Sequence, residues 1–289
     1  MIISASRRTD IPAFYSEWMM QRLRAGYCTV TNPFRPSQSR KVSLAAKDVS
    51  ALIFWTRWSK PLQPYVDEIA KIGHQVFFLY TITGYGSQLE PGVPALDRQI
   101  DDLQNLAHRI GADRIAWRYD PILFTERRPP DYHADHFTRL ADKIAPLCHR
   151  AIISLFDPYR NVLRRLDKSS SESMMSIEED ELFGFLQGLA VTAKALQLPI
   201  YSCSESPLWE KIGIVPGKCI DDDWIFAVTG RRVCGSKDPG QRQACRCVKS
   251  IDIGRYDTCG HGCLYCYATQ HPDRAAVALQ QHNPALDHL

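Results

Sequence analysis

Residues 75–86 have the sequence QVFFLYTITGYG, an apolar run that ends in a polar cluster with two glycines. A near-continuous apolar run of this kind is typical of a strand buried on both faces of a parallel sheet. The same pattern recurs in further runs, each followed by polar residues: IISAS (2–6), YCTVT (27–31), SALIFW (50–55), DRIAWR (113–118), RAIISLF (150–156) and LPIYSCSE (198–205). This repetition predicts a sheet of parallel strands.

Helical patterns lie between most of these runs, at residues 13–25, 61–72, 95–110, 133–147 and 177–197. The connection around residues 35–49 has no such pattern, and we expect a loop with a short turn there. Strands that alternate with helices predict right-handed crossovers between parallel strands. We also expect an eighth strand in VKSIDIG (248–254) and a further helix within residues 268–281.

Seven or eight such units in 289 residues favour an α/β fold of the (β/α) TIM-like barrel type over an open doubly wound sheet. The barrel could be complete, partial or permuted. In this interpretation residues 1–203 form the barrel body. Residues 204–289 form a Cys-rich, metal-binding segment that completes the same domain.

The composition is that of an ordinary globular protein, with 45% hydrophobic and 23% charged residues. The sequence has no apolar run of about 18 residues or more, so we expect no membrane span or membrane partner. The opening MIISASRRTD does not resemble a signal peptide, which predicts a cytoplasmic protein. The net charge of +3 neither requires nor excludes a nucleic-acid substrate.

In a barrel of this type the active site lies at the carboxyl ends of the strands. The polar side chains that follow the predicted strands should therefore converge on one mouth: Arg7, Arg8, Thr9, Asp10, Asn32, Thr56, Arg57, Thr83, Tyr85, Arg118, Asp120, Asp157 and Glu205. We interpret Asp10, Asp120 and Glu205 as candidate catalytic groups. Asp10, which precedes Ile-Pro, also has the pattern of a helix N-cap.

Candidate cofactor- or substrate-binding residues are mostly cationic or aromatic: Arg7, Arg8, Arg57, Tyr85, Arg118 and Tyr265. Arginines at a mouth suit an anionic small molecule or nucleic acid, because the guanidinium binds phosphate or carboxylate in a bidentate manner. Trp55, Tyr85 and Trp117 could stack on bases. For the two tryptophans, a place in the core is the alternative.

The ten cysteines are unevenly distributed: Cys28 and Cys148 stand alone, and the other eight fall between Cys203 and Cys266. In a reducing compartment such a cluster indicates metal binding rather than disulfides. The tail segment CGHGCLYCY contains Cys259, Cys263 and Cys266, only three ligands where closed zinc and iron–sulfur sites usually take four. His261 could supply a fourth ligand.

A second site could use Cys203, Cys219, Cys245 and Cys247, which together suit a second [4Fe–4S] cluster or a zinc ion. Cys234 would then be spare. The alternative is that Cys203 is a buried thiol and that only the pair formed by Cys245 and Cys247 has a special role.

The spacing of Cys259, Cys263 and Cys266, with Tyr265 before the last cysteine, resembles the signature loop of radical S-adenosylmethionine enzymes. In that superfamily three cysteines hold a [4Fe–4S] cluster, and the fourth iron binds S-adenosylmethionine. One-electron reduction by a low-potential donor cleaves the cofactor, and the adenosyl radical abstracts a hydrogen atom. The resemblance implies a full or partial (β/α) barrel. Its usual glycine-rich methionine-binding motif is not recognisable here.

A second resemblance runs from about residue 1 to 270 and rests on short segments spread along the chain: SASRRTDIPAFYSEW, NPF, FWTR, TITGYG, WRYDPI and SIDIGRYDTCGHGCLYCYA. Together they resemble the uncharacterised bacterial family catalogued as domain of unknown function 1848. The cysteine loop comes last in the chain, whereas it follows the first strand in ordinary radical enzymes. In a closed or permuted barrel, residues 248–254 could lie beside residues 2–6 and restore that neighbourhood.

Three functions remain open from the sequence. The first is a radical S-adenosylmethionine-like enzyme acting on an anionic, nucleotide or nucleic-acid substrate. The second is an iron–sulfur protein for electron transfer or redox sensing without radical chemistry. The third is a zinc-stapled barrel that acts as a hydrolase or lyase.

Overall fold

The structure is a computed structural model that describes residues 1–169 and 172–289. It is built on one sheet in which every pair of neighbouring strands is parallel. From one edge to the other, and numbered in chain order, the strands are β10 (Ile251–Asp252), β1 (Ile2–Ala5), β4 (Ala51–Thr56), β5 (Val76–Thr81), β6 (Ile115–Ile122), β7 (Arg150–Leu155), β8 (Ile200–Ser202) and β9 (Val215–Pro216).

Helices connect these strands and follow them to the end of the chain. Their bounds are α1 (Ile11–Phe14), α2 (Ser16–Ala25), α3 (Val66–Ile72), α4 (Leu96–Ile110), α5 (Pro130–Ile144), α6 (Arg160–Ser169), α7 (Glu179–Ala195), α8 (Asp222–Thr229) and α9 (Pro272–Gln280). All the helices expected from the sequence are present. Helices α6 and α8 were not expected.

The apolar runs are confirmed as strands of the parallel sheet, with one exception. Residues 27–31 lie in β2 (Tyr27–Asn32), which pairs antiparallel with β3 (Arg35–Ser43) in a separate hairpin. The burial of β2 alternates, with Cys28 and Val30 buried and the threonines between and beside them less so. This alternation is typical of a strand with one buried face. The loop expected around residues 35–49 was therefore wrong over the length of β3.

The expected closed barrel is not formed. Strands β9 and β10 are the two edges of the sheet, and no pairing joins them among residues 1–169 and 172–289. Each edge strand is only two residues long, so it offers few backbone groups for closure. What the structure shows is an α/β fold with a large, open, parallel eight-stranded sheet.

The two faces of the sheet have different coverings because successive strand residues point to opposite faces. In β5, Phe78 and Tyr80 pack into the core that the helices form with one face. Phe77 and Leu79 pack on the other face, which we call the inner face, against Trp224 of α8 and residues that include Cys219 and Cys247. The C-terminal part of the chain thus covers the inner face.

The end of the chain returns to its beginning. Strand β10 pairs in parallel with β1, with Ile3 opposite Ile251, as expected from the sequence. The Asp252 carboxylate then accepts hydrogen bonds from the Ser4 hydroxyl at 3.0 Å, the Ser6 hydroxyl and the Arg7 backbone N–H at 2.9 Å. The loop after β10 is therefore held beside the loop after β1.

Within the residues that the structure describes, no helix combines the length and the apolar character needed to cross a bilayer.

Replacement of Phe78 by Ala tests the importance of the central strands. Phe78 is fully buried and its ring stacks on Phe54 at 5.1 Å. We expect the free energy of unfolding, measured by urea denaturation, to fall by about 3–5 kcal/mol. The matched control is Phe34→Ala, because Phe34 is 88% exposed in the hairpin, and it should change stability by less than about 0.5 kcal/mol. Equal losses for the two variants would contradict the described core.

Candidate metal centre at the carboxyl edge of the sheet

Residues 259–267, here called the cysteine loop, lie over the edge where the parallel strands end. The Leu264 N–H donates to the Leu89 carbonyl at 2.9 Å, and the Gly92 N–H donates to the His261 carbonyl at 2.8 Å. A Cβ atom at Gly92 would lie 2.6 Å from the Gly260 carbonyl oxygen, so only glycine allows this approach. The segment after β5 thus forms one wall of the cysteine loop.

The Asp10 carboxylate connects the first strand to the cysteine loop. Its oxygens accept hydrogen bonds from the Ala13 N–H at 3.0 Å, the Thr56 hydroxyl at 2.8 Å and the Arg57 N–H at 2.7 Å. His261 Nε2 lies 2.8 Å from the same carboxylate. Asp10 is therefore an N-cap and a junction between β1, β4 and the loop. Its predicted catalytic role remains a prediction.

His261 is engaged at both ring nitrogens. Nδ1 lies 3.1 Å from the Gly92 carbonyl oxygen and Nε2 lies 2.8 Å from Asp10. Both ring nitrogens are therefore occupied by oxygen partners of the protein in this structure. His261 as a fourth ligand remains a prediction, and it would require one of these two contacts to break.

A buried network surrounds Tyr265. The Arg57 guanidinium donates to the Glu90 carboxylate at 2.8 Å and to the Thr83 hydroxyl at 3.1 Å. The Tyr265 hydroxyl donates to Glu90 and accepts from Arg57. Tyr85 packs edge-on against Tyr265, with ring centroids 5.8 Å apart. Its hydroxyl donates a hydrogen bond to the Pro121 carbonyl at 2.7 Å. The predicted residues Arg57, Tyr85 and Tyr265 are therefore brought together.

Cys259 and Cys263, two of the three thiols of the cysteine loop, lie in a low-dielectric environment. Burial raises the pKa of Cys259 to about 12 and raises the pKa of Cys263 well above its usual value, although the Arg57 guanidinium opposes the second shift. Cys263 packs beside Tyr265, Leu89 and other apolar side chains. Thiols with raised pKa values lose their protons when a metal ion or another strong positive charge is at hand.

The Arg165 side chain, on α6, also holds the cysteine loop. Its guanidinium donates to the Leu264 carbonyl at 2.7 Å, the Thr269 carbonyl at 2.6 Å and the Cys266 carbonyl. The charge also lies within electrostatic reach of the Cys263 and Cys266 thiols. Arg165 therefore fixes the backbone and supplies positive charge to two of the candidate ligands.

Two further arginines and a tryptophan lie beside the cysteine loop on the inner face. The guanidinium carbons of Arg7 and Arg118 lie 5.2 and 4.7 Å from the centre of the Trp55 ring. Arg7 Nη2, Arg118 Nε and the Thr9 hydroxyl are buried and have no hydrogen-bond partner among the described residues. Buried donors without partners are rare, and they mark a place where an anion or water can bind.

Asp120 and Glu205 are the other two candidate catalytic residues. Asp157, a further residue predicted at the mouth, lies within electrostatic reach of Glu205, as does Asp120. Asp120 pairs with Arg118. Glu205 accepts a hydrogen bond from the Leu155 N–H at 2.8 Å, and burial raises its pKa to about 7. Asp157 pairs with Arg242. A carboxyl with a pKa near 7 can take or give a proton at neutral pH.

Some predicted residues lie elsewhere or have structural roles. Asn32 is in the hairpin rather than at the mouth. Arg8 lies over the Tyr256 ring at 5.1 Å and contacts the Gly254 carbonyl at 3.4 Å. Trp117 is fully buried, with its indole N–H on the Ile82 carbonyl, so it belongs to the core.

Sequence reasoning missed three residues that define the site: Glu90, Arg165 and Asp252. Glu90 and Arg165 lie far in sequence from any recognisable pattern, and no local signal could have found them. Asp252 lies within the predicted strand 248–254 and is the last residue of β10. It follows the same rule as the other mouth residues, so it could have been found.

The predicted second set of cysteines is also brought together on the inner face, where Cys203 Sγ lies 3.5 Å from Cys219 Sγ. Cys234 stands apart, exposed, with its thiol 3.2 Å from the Ser236 hydroxyl.

Residues 2–268 match the family described as a domain of unknown function, DUF1848. The chain belongs to this family. The match extends over both groups of cysteines, including the whole cysteine loop, so these residues lie inside the family region. A search of curated proteins gives no match.

Replacement of Arg165 by Ala tests how the cysteine loop is held. The variant loses three hydrogen bonds from a charged group, so the backbone of residues 262–269 should open more often. We expect amide hydrogen exchange in this segment to rise at least about tenfold. Arg164→Ala is the matched control, because Arg164 is the exposed neighbour on the same helix, and it should leave exchange unchanged. Equal exchange in both variants would show that Arg165 does not hold the loop.

Proposed function

We propose that this protein is an iron–sulfur enzyme of the radical S-adenosylmethionine type, in which Cys259, Cys263 and Cys266 hold a [4Fe–4S] cluster. The observation that carries the proposal is the set of three thiols in one clamped loop whose polar neighbours are already engaged. Asp10 and His261 bind each other, and Glu90 binds Arg57. The three thiolates therefore leave one coordination position without a protein ligand, which is the arrangement that an open iron requires.

The donor set and the surrounding charges fit such a cluster. Thiolates are the usual ligands of iron–sulfur clusters. Arg57 and Arg165 both lie within electrostatic reach of Cys263 and Cys266, and their positive charges would offset the negative charge of a thiolate-bound cluster. When bound, the cluster and S-adenosylmethionine supply one-electron reductive cleavage and hydrogen-atom abstraction. The chain itself holds the ligands, excludes water from Cys263 and positions the groups around the mouth.

The parallel sheet supports the same assignment. We propose that it is a partial barrel in which β10 takes the place of the strand that precedes the cysteine loop in radical enzymes. Its pairing with β1 puts the cysteine loop beside the residues that follow the first strand. The late position of the loop in the sequence is then compatible with a permuted order of strands.

The substrate that we propose is anionic, either a small molecule such as a nucleotide or a nucleic acid. Arg7 and Arg118 carry buried nitrogen atoms without partners, and both guanidinium groups lie against the Trp55 ring. The two arginines could bind a phosphate or carboxylate. Glu205, with a pKa near 7, could exchange a proton with the substrate, and Asp120 would orient Arg118.

Iron content tests the cluster. Protein purified and reconstituted without oxygen should be brown and hold about four irons per cluster. Cys263→Ala should remove one cluster's worth of iron and sulfide while the circular dichroism spectrum stays the same. Cys234→Ala is the matched control, because Cys234 is exposed and apart from both groups of cysteines, and it should keep all the iron. Colourless protein that holds only zinc would favour a hydrolase or lyase and overturn the proposal.

Reductive cleavage separates radical chemistry from electron transfer. After reduction with dithionite, the reconstituted protein should convert S-adenosylmethionine into 5′-deoxyadenosine and methionine, and Cys263→Ala should not. If wild-type protein with an intact cluster leaves S-adenosylmethionine unchanged, a role in electron transfer or redox sensing replaces the proposal.

Pyrophosphate serves as a probe for the anion site. Binding to the folded state should raise the melting temperature of the wild type by about 2–4 °C for each kcal/mol that pyrophosphate, at the concentration used, adds to the free energy of unfolding. The double variant Arg7→Gln, Arg118→Gln should lose this shift. Arg98→Gln is the matched control, because Arg98 lies over the Trp58 ring in a similar way but is exposed on α4, away from the mouth. An unchanged shift in the double variant would place anion binding elsewhere.

A further inference from the structure

Four cysteines from three separate segments meet on the inner face of the sheet. Cys203 directly follows β8, Cys219 lies between β9 and α8, and Cys245 and Cys247 lie in the segment that leads to β10. The Sγ atoms of Cys203 and Cys219 are 3.5 Å apart. The Ile220 N–H, next to Cys219 in the chain, donates to Cys247 Sγ at 3.4 Å. Cys219, Cys245 and Cys247 belong to one buried cluster, and Cys203 packs against it. These four cysteines, here called the four-thiol group, are therefore gathered in one place.

Backbone contacts hold these segments together without help from the thiols. The Val248 N–H donates to the Ile220 carbonyl at 3.1 Å, and the Asp238 N–H donates to the Cys247 carbonyl at 2.9 Å. The Cys203 N–H donates to the Ile153 carbonyl at 2.9 Å. The backbone thus presents the four thiols to one another.

Ordinary core packing does not account for this convergence. Cys28 and Cys148 are buried singly among apolar side chains, as isolated core cysteines usually are. In the four-thiol group Cys219, Cys245 and Cys247 are buried together. The separation of 3.5 Å between Cys203 Sγ and Cys219 Sγ is far longer than the bond of about 2.05 Å in a disulfide. Four free thiols gathered in one place are a donor set for a thiophilic metal.

The charges nearby also suit a thiolate centre. The Arg7 guanidinium lies within electrostatic reach of Cys219 and Cys247, and Arg118 lies within reach of Cys203 and Cys219. A metal held by four thiolates carries net negative charge, which two adjacent cations stabilise. A cleft of about 490 Å³, lined by Cys245, Lys218 and Glu205 among others, gives a metal ion a route from solvent.

We infer that Cys203, Cys219, Cys245 and Cys247 form a second, closed metal centre with four thiolate ligands. The sulfurs are not yet arranged around a common centre, since among the described residues only Asp221, Asp222 and Asp223 bring three ligand atoms within 4.8 Å of one another. Binding of a metal would therefore need rotation of the cysteine side chains. The metal is one zinc-type ion or an iron–sulfur cluster, which share this ligand chemistry.

The position of the centre gives it a structural role. Cys219 follows β9 and Cys247 precedes β10, and these two strands are the open edges of the sheet. A metal held by both cysteines therefore links the two edges that no backbone pairing joins in the described part of the chain. It also fastens residues 219–248 to the inner face, where Arg7 and Arg118 lie.

Metal analysis of a variant that lacks the three cysteines of the cysteine loop tests the inference. The variant Cys259→Ala, Cys263→Ala, Cys266→Ala removes the cysteine loop as a ligand set, so any retained metal belongs to another site. We expect this variant to retain either about one zinc and no sulfide, or about four irons and about four sulfides. The further change Cys219→Ser should remove that metal, whereas Cys148→Ser, a buried cysteine outside the group, should retain it. Absence of metal from the triple variant, or its retention after Cys219→Ser, would overturn the inference.

Thiol alkylation gives a second test that needs no variant of the four-thiol group. In the folded triple variant Cys203, Cys219, Cys245 and Cys247 should resist alkylation, and removal of the metal with a chelator should make them react at least about tenfold faster. Cys234, which is exposed, should react rapidly before and after chelation. Unchanged protection of the four cysteines after chelation would overturn the inference. Both tests are independent of S-adenosylmethionine and of the cluster in the cysteine loop.

Discussion

The Asp10 carboxylate is the interaction on which the arrangement of the site depends. It accepts hydrogen bonds from the first turn of α1, from Thr56 and Arg57 at the end of β4, and from His261 in the cysteine loop. A buried carboxylate is stable only when hydrogen bonds replace its water, so these four contacts must form together. They join residues 251 positions apart in the chain. The position of the cysteine loop over the sheet follows from this junction.

In the rest of the site, arginine side chains surround the two groups of cysteine thiols. Arg57 and Arg165 lie near the cysteine loop, and Arg7 and Arg118 lie between that loop and the four-thiol group. Buried thiols resist ionisation, so the ligand role that we propose for them depends on these cations and on the metal itself. The arginines with unpartnered nitrogens lie near both groups of cysteines that we propose as metal ligands. In our proposal, a substrate bound to these arginines would react at the cysteine loop. The four-thiol group would stabilise the part of the chain that surrounds the substrate.

Much of the sheet could be predicted from sequence, because buried parallel strands leave continuous apolar runs such as residues 75–83. The convergence of Asp10, Arg57 and Arg118 on one edge followed from the same rule. Closure of the sheet could not be predicted, since it depends on pairing between two-residue strands that carry almost no pattern. The hairpin at residues 27–43 could not be told from a buried strand, because the short segment YCTVT, with Cys28 and Val30 alternating with threonines, resembles a continuous apolar run. Glu90 and Arg165 act through contacts across 175 and 99 or more residues, which no local pattern records.

The open iron at the cysteine loop is the central claim, and electron–nuclear double resonance tests it most directly. The reduced, reconstituted protein would be measured with S-adenosylmethionine that carries ¹⁵N at the methionine amino group. We predict a resolved hyperfine coupling between that nitrogen and the cluster, because Cys259, Cys263 and Cys266 leave one iron for the cofactor. An intact, reduced cluster that shows no coupling to the labelled nitrogen would contradict the account.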